Sequence, residues 1–248
     1  MRFIRPRSIP GQATGTMAGH FPWTLMYHSV AIARDDPYMI TVSPARFRRQ
    51  LRWLSSWGLR GVAVETLLRC HREGTARGLV GLSFDDGYRD FTEEVMPALV
   101  EYGFTATVYV VAGRLGGYND WDQLGPRKPL MTALQVREVV AAGLEIGSHG
   151  LTHQRLAGLG ARDLAAQVAG SRRALEDLTG QEVAGFCYPY GSLDAAAVAA
   201  VAGAGYSYGC AVSPGAHGGR YAIPRAYIGD RDGPLRMIAK LARDRWQR

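Results

Sequence analysis

Lysine is nearly missing from this 248-residue chain: only Lys128 and Lys240 occur, although Lys and Arg together number 29. The net charge of +7 is therefore carried by arginine, within an alanine-rich composition that codon bias alone can produce. No block of about five or six consecutive basic residues occurs, and no aromatic-interleaved basic ribbon, so no nucleic-acid partner is expected. Attraction to an anionic glycan, a lipid-linked sugar or a membrane surface stays open as a peripheral contact.

Cysteine is scarce as well. Cys70, Cys187 and Cys210 are an odd number without metal-ligand spacing, and they read as buried small apolar residues in a reducing compartment. Long apolar runs are absent, and nothing approaches the roughly 20 residues needed to span a bilayer. Arg2, Arg5 and Arg7 resemble the basic start of a secretory leader. Pro10, Gly11, Gln12, Thr14 and Gly15 then stand where an apolar stretch of about 7–15 residues would be required. The expectation is a cytoplasmic protein, or a secreted one if the start site is misassigned. Residues 1–22, rich in Pro, Gly and Thr, are expected to form a loosely held arm.

From residue 23 to 248 no repeat, linker or composition break interrupts the chain, and its length suits one domain with a sizeable core. Short apolar runs alternate with helical periodicity, as βα units do. Strands are expected over 24–28, 61–64, 79–84, 105–112, 144–148, 183–188, 206–212 and 222–228. Ser43 and Pro44 are expected to cap and open a helix with Phe47, Leu51 and Leu54 as its buried stripe and Gly58 at its close. A second helix is expected from about Tyr88 to Tyr102, and Leu164, Val168, Leu175 and Leu178 mark a third, stopped by Gly180. Seven or eight parallel strands interleaved with helices imply an α/β fold, a single-domain (β/α) barrel with its chemistry at the C-terminal strand ends.

Ser83-Phe84-Asp85-Asp86-Gly87 ends one apolar strand, and His149-Gly150-Leu151-Thr152-His153 follows another. Adjacent side chains on a strand diverge, so turning both aspartates to one site requires an irregular strand end, which Gly87 makes feasible. His149 and His153, four apart, are expected to share one face of a helical turn. One aspartate with two histidines suffices for a catalytic zinc-type ion, which keeps an open position beside three protein ligands. The other aspartate is then free to handle protons, the outline of a metal-assisted hydrolase. Asp-Asp-Gly alone would favour a plain strand-to-turn junction; the histidine pair reverses that reading. A His-Glu-x-x-His protease is excluded because Gly150 follows His149.

These segments resemble the polysaccharide deacetylase (NodB-homology) family, also called carbohydrate esterase family four. The family's T/S-F-D-D-G motif corresponds to Ser83–Gly87 and its H-S/T-x-x-H motif to His149–His153. Its third motif, R…P-P-Y-G, corresponds to Phe186-Cys187-Tyr188-Pro189-Tyr190-Gly191, and the resemblance extends over about Leu25 to Ile228. It implies a distorted (β/α)7-type barrel, Asp85 as general base, and Asp86, His149 and His153 as ligands of a divalent ion of the zinc type. Tyr190 would lend its backbone N–H to the oxyanion. The motif's arginine is absent, since Gly185, Phe186 and Cys187 occupy that region, and no late Leu-x-His occurs. Leu25-Met26-Tyr27-His28-Ser29-Val30 instead resembles the permuted branch acting in exopolysaccharide de-N-acetylation, which makes His28 the candidate acid.

The resemblance implies a metal-dependent de-N-acetylase acting on an N-acetylhexosamine unit of a glycan, a lipid-linked sugar or a glycosylated metabolite. A catalytically impaired carbohydrate-binding barrel is the alternative. Two histidines and a carboxylate also serve non-haem iron oxygenases, but the adjacent second aspartate and the parallel layout fit hydrolysis better. Arg225 is placed to pair with Asp85 or to be an ordinary surface arginine. Asn119, Trp121 and Asp122 suit sugar contact or loop packing, and Trp53 and Trp57 suit the core.

Overall fold

The computed structural model describes residues 21–213 and 217–246. The expected arm over residues 1–22 lies, but for its last two residues, outside the described residues. Among the described residues eleven strands are formed: β1 (Thr24–Tyr27), β2 (Ser29–Val30), β3 (Thr41–Val42), β4 (Arg60–Val62), β5 (Leu79–Phe84), β6 (Thr107–Val110), β7 (Glu145–Ser148), β8 (Gly185–Cys187), β9 (Tyr208–Ala211), β10 (Ile223–Pro224) and β11 (Ala226–Tyr227). Around them run α1 (Pro44–Ser56), α2 (Val64–Arg72), α3 (Met96–Tyr102), α4 (Ala133–Ala141), α5 (Ala161–Ala165), α6 (Ser171–Thr179), α7 (Ala195–Gly203) and α8 (Pro234–Trp246).

The main sheet runs β10-β9-β8-β7-β6-β5-β1-β11, every pair parallel, a nearly closed barrel of eight strands. Its two ends are one stretch of chain. Ile223 and Pro224 pair with Cys210 and Ala211 of β9, whereas Ala226 and Tyr227 pair with Leu25 and Met26 of β1. Arg225 sits at the changeover, so the run expected as a single strand over 222–228 is broken there. β5 has β1 on one edge and divides its other edge between β4 at Leu79–Gly81 and β6 at Ser83–Phe84.

Period-two alternation separates two cores. Tyr27, Phe84, Val108, Val110 and Phe186 point outward and pack beneath the helices with Phe47, Leu51 and Leu54 of α1. Tyr109, Cys187, Tyr208, Cys210 and Ile223 form the second cluster with Val64 and Leu68 of α2. Two of its large rings need glycine opposite them: a Cβ on Gly147 would lie 2.3 Å from the Tyr109 ring, and one on Gly185 2.2 Å from Tyr208 Oη.

Several local expectations change. Ser43 precedes α1, but its hydroxyl makes no capping bond and donates instead to Asp230 Oδ1 at 2.7 Å. The second helix begins with a π-helical turn at Phe91–Val95 before α3, because Tyr88 is held in a β-bridge to Leu130 as the chain leaves the Asp-Asp-Gly segment. Cys187 and Cys210 are buried as expected, while Cys70 is only half-buried on α2. The two lysines are pins. Lys128 donates to Ser29 Oγ (2.5 Å) and Thr41 Oγ1 (2.7 Å), tying the long loop after β6 to β2 and β3. Lys240 of α8 donates to the Tyr227 carbonyl at 2.8 Å. Among the described residues, no helix is long and apolar enough to cross a membrane.

Gly185→Ala should overpack the barrel interior against Tyr208, lowering stability by about 1–3 kcal/mol in denaturant unfolding. An unchanged midpoint would mean that the Tyr208 ring moves aside freely.

Candidate active site

β5 continues its ladder one residue beyond the strand, with Asp85 N–H donating to the Tyr27 carbonyl at 2.9 Å. The next two residues are left-handed, Asp86 at φ 72° and Gly87 at φ 71°. Aspartate tolerates that region better than most side chains, and at Gly87 any Cβ would press on Val110 at 3.3 Å. This reversal is the irregular strand end that two inward aspartates require. Both carboxylates are buried.

His149 follows β7 and donates its backbone N–H to the Val110 carbonyl at 2.8 Å. Its Nδ1 lies 2.8 Å from the Cys187 carbonyl, which can only accept, so Nδ1 carries a proton and Nε2 faces Asp86. The expected helical turn between the histidines does not form. Gly150 (φ 76°) and His153 (φ 62°) are left-handed, and residues 149–153 make an open loop. Gln167 clamps it by accepting the N–H groups of Leu151 (3.1 Å) and Thr152 (3.0 Å) on Oε1. The spacing of four is real, yet it is the loop that brings the two rings to 5.0 Å.

Both Nε2 atoms approach one oxygen. Asp86 Oδ1 lies 3.3 Å from His149 and 3.1 Å from His153. That oxygen is buried without a hydrogen-bond partner, as is His153 Nδ1. Burial alone would raise the Asp86 carboxyl, but the attraction of His153 and His149 beside it outweighs burial and holds the group well below the usual carboxylate range. Burial also pushes His153 below its ordinary value, favouring the neutral ligand form. An ionised carboxylate and two imidazole nitrogens converging on one spot are a costly arrangement in a buried site unless a cation lies among them. The donor set fits a divalent ion.

Asp85 has a different partner. Arg225, buried at the break between β10 and β11, donates to both its oxygens, at 2.6 and 2.7 Å. The guanidinium also donates to Ser83 Oγ (3.0 Å) and Cys187 Sγ (3.0 Å). Burial pushes Asp85 up; the charge and hydrogen bonds of Arg225 bring it below the usual range. His28, which directly follows β1, places Nε2 3.9 Å from Asp85 Oδ2. Tyr190 is left-handed (φ 58°) in the turn after β8, and its ring meets that of His153 edge-on at 4.5 Å. All six expected site residues thus gather with Arg225 at one rim, beyond the C-terminal ends of β1, β5, β7 and β8.

Trp121 stacks on His153 at 4.2 Å and 23°. Asn119 is buried and bonds within its own loop, to the Pro126 carbonyl among others, so it serves loop packing and not sugar contact. Trp53 and Trp57 pack on the core. Cys187 and Gln167 escape sequence reasoning: no spacing marks a thiol beside Asp85 or a glutamine clamping a loop 16 residues away.

The family model described as polysaccharide deacetylase matches residues 72–209. YxkH of Bacillus subtilis (strain 168) is 26% identical over 209 residues, covering 82% of this chain and 70% of that protein. Poly-beta-1,6-N-acetyl-D-glucosamine N-deacetylase of Escherichia coli (strain K12) is 29% identical over 159 residues, or 58% of this chain and 24% of that protein. The Streptococcus pyogenes deacetylase PplD, solved in complex with acetate, superposes with a TM-score of 0.73 at 21% identity, covering 89% of this chain and 97% of that one. At that identity the likeness establishes the barrel fold.

Replacing Arg225 by leucine strands Asp85 as a buried charge, which should cost about 3–5 kcal/mol at neutral pH. In the parent protein Asp85 titrates below its unfolded value, so its contribution is lost on acidification. In Arg225→Leu it titrates above that value, so the penalty is lost on acidification. The stability gap between the two, followed by urea unfolding, should therefore narrow as pH falls through the carboxylate range. A gap constant with pH would mean that Asp85 is not what Arg225 neutralises.

Proposed function

Because this chain belongs to the polysaccharide deacetylase family, with both aspartates and both histidines inside the matched residues, we propose that it is a metal-dependent hydrolase. Its proposed reaction removes the N-acetyl group from an N-acetylhexosamine unit of a glycan, lipid-linked sugar or glycosylated metabolite. The observation that carries this reading is the division of labour between neighbouring carboxylates: Asp86 meets two histidines, Asp85 meets an arginine. A carbohydrate-binding barrel would need neither arrangement.

Asp86, His149 and His153 would hold the divalent ion, zinc being the expected one. When bound, such an ion lowers the pKa of its water toward ~7 and polarises an amide carbonyl. The Cys187 carbonyl fixes the His149 tautomer so that Nε2 is available as a ligand. Trp121 and Tyr190 hold the His153 ring between them.

Asp85 is the proposed base and would take the proton of the attacking water on a carboxylate oxygen. Arg225 keeps that carboxylate ionised and fixes its plane through two hydrogen bonds. His28, close to Asp85 and half-buried, is the proposed acid that protonates the departing amine. The Tyr190 backbone N–H is the proposed oxyanion donor, and one good donor of this kind contributes about 3–4 kcal/mol to the transition state.

Asp85→Asn should retain metal at the parental stoichiometry, yet lose about 10²–10⁴-fold in turnover, the range of a general base. His149→Ala should lose metal and activity together. Elemental analysis and acetate release from N-acetylglucosamine oligomers measure the two effects. Near-parental turnover in Asp85→Asn would refute the base assignment, and full metal content in His149→Ala would refute the ligand set.

A further inference from the structure

Among the described residues no hydrogen bond holds the imidazole of His28. Its Nδ1 is buried without a partner, and its Nε2 stands 3.9 Å from Asp85 Oδ2, beyond hydrogen-bond reach. The backbone must therefore place the ring, and the grip lies on the next residue. Ser29 is buried, and its hydroxyl donates to an Asp90 carboxylate oxygen while accepting from the Lys128 ammonium at 2.5 Å. Asp90 also accepts the Val30 N–H at 3.2 Å, and the Ile40 carbonyl accepts the Ser29 N–H at 3.2 Å. A hydroxyl lodged between an ammonium and a carboxylate makes charge-assisted bonds on both sides, roughly twice as strong as neutral ones. Lys128 is itself fixed: its N–H donates to Asn119 Oδ1 at 2.5 Å, and its carbonyl accepts the Asn119 N–H at 3.1 Å. In a chain that carries nearly all its positive charge on arginine, a lysine here has a physical reason. Its ammonium bonds two hydroxyl oxygens, of Ser29 and Thr41, a geometry that suits a compact cation better than a planar guanidinium fork.

We propose that Lys128 is a positioning residue for the hydrolytic reaction: with Asp90 it clamps Ser29, and so holds His28 where it can protonate the departing amine. Its ammonium is turned to β2 and β3 and acts on the ring only through the chain. The clamp joins three segments that are far apart in sequence, namely β2, the turn after Gly87 and the loop after β6. Placement of the acid is thus tied to the two segments that border the rest of the rim. The catalytic consequence rests on the hydrolase reading; the hold on the ring does not.

Lys128→Met and Ser29→Ala release the clamp from its two sides. Each should retain metal and lower kcat for acetate release by about 10–10²-fold, the cost of misplacing a group by about 1 Å, with KM changed by less than about twofold. In a His28→Gln background neither should cost more than about twofold, because the group being positioned is gone. Losses that multiply in the double variants would overturn the proposal, since a general structural defect behaves in that way. So would losses that appear in KM, or single variants with parental kcat. Proton NMR of the imidazole rings in metal-free protein reads the placement without turnover, with His28 assigned by its disappearance in His28→Gln. Its resonances should move in Lys128→Met, while those of His71 on α2 should not. Resonances of His28 that stay in place would refute the clamp. If the parent releases no acetate with any ion, the hydrolase reading falls, and the ring resonances alone decide the clamp.

Discussion

Two buried carboxylates on consecutive residues cannot both be ionised unless each has its own counter-charge. An uncompensated buried carboxylate costs several kcal/mol, and a like charge next to it adds to that. The fold around Asp85 and Asp86 is the solution to this constraint. Arg225 answers Asp85 from the point where the last strand passes from one neighbour to the next. His149 and His153 answer Asp86 from the loop after β7. Either carboxylate left alone would protonate or drag the strand end open.

That division also separates two kinds of electrostatics. The Asp85–Arg225 pair is complete within the chain, a bidentate contact between planar groups. The Asp86 cluster is incomplete, with a buried oxygen that no hydrogen serves. One carboxylate is held by the protein; the other, with its histidines, is prepared for something the protein does not itself supply. Trp121 and Tyr190 flank only the second group, through the ring of His153.

Much of this could be read from residue order because local chemistry dictated it. Apolar runs ending in Asp85-Asp86-Gly87, His28 and His149 place those groups at strand ends, and parallel strands put such ends on one rim. For Arg225 beside Pro224 the sequence left two readings, a partner for Asp85 or a surface arginine, and the fold decides for the first. Other features depend on contacts distant in sequence. Four-residue spacing cannot distinguish a helical turn from a loop with left-handed residues, and the loop won because Gly150 and the Gln167 clamp favour it. Ser43 has the chemistry of a cap, but Asp230, 187 positions away, claims its hydroxyl. Cys187 takes its place beside Asp85 only because β8 carries it there.

The split strand has one more implication. With β11 lying against β1 and β10 against β9, the staves form a ring in which no member is structurally first. α8 follows β11 just as other helices follow their strands, and could serve as a crossover leading back into β1. Evolution could therefore reopen such a ring at a different stave, moving His28 from the head of the domain to its tail, while the chemistry on the rim stayed in place. Order along the chain and order around the barrel are separate properties, and only the second matters to the reaction.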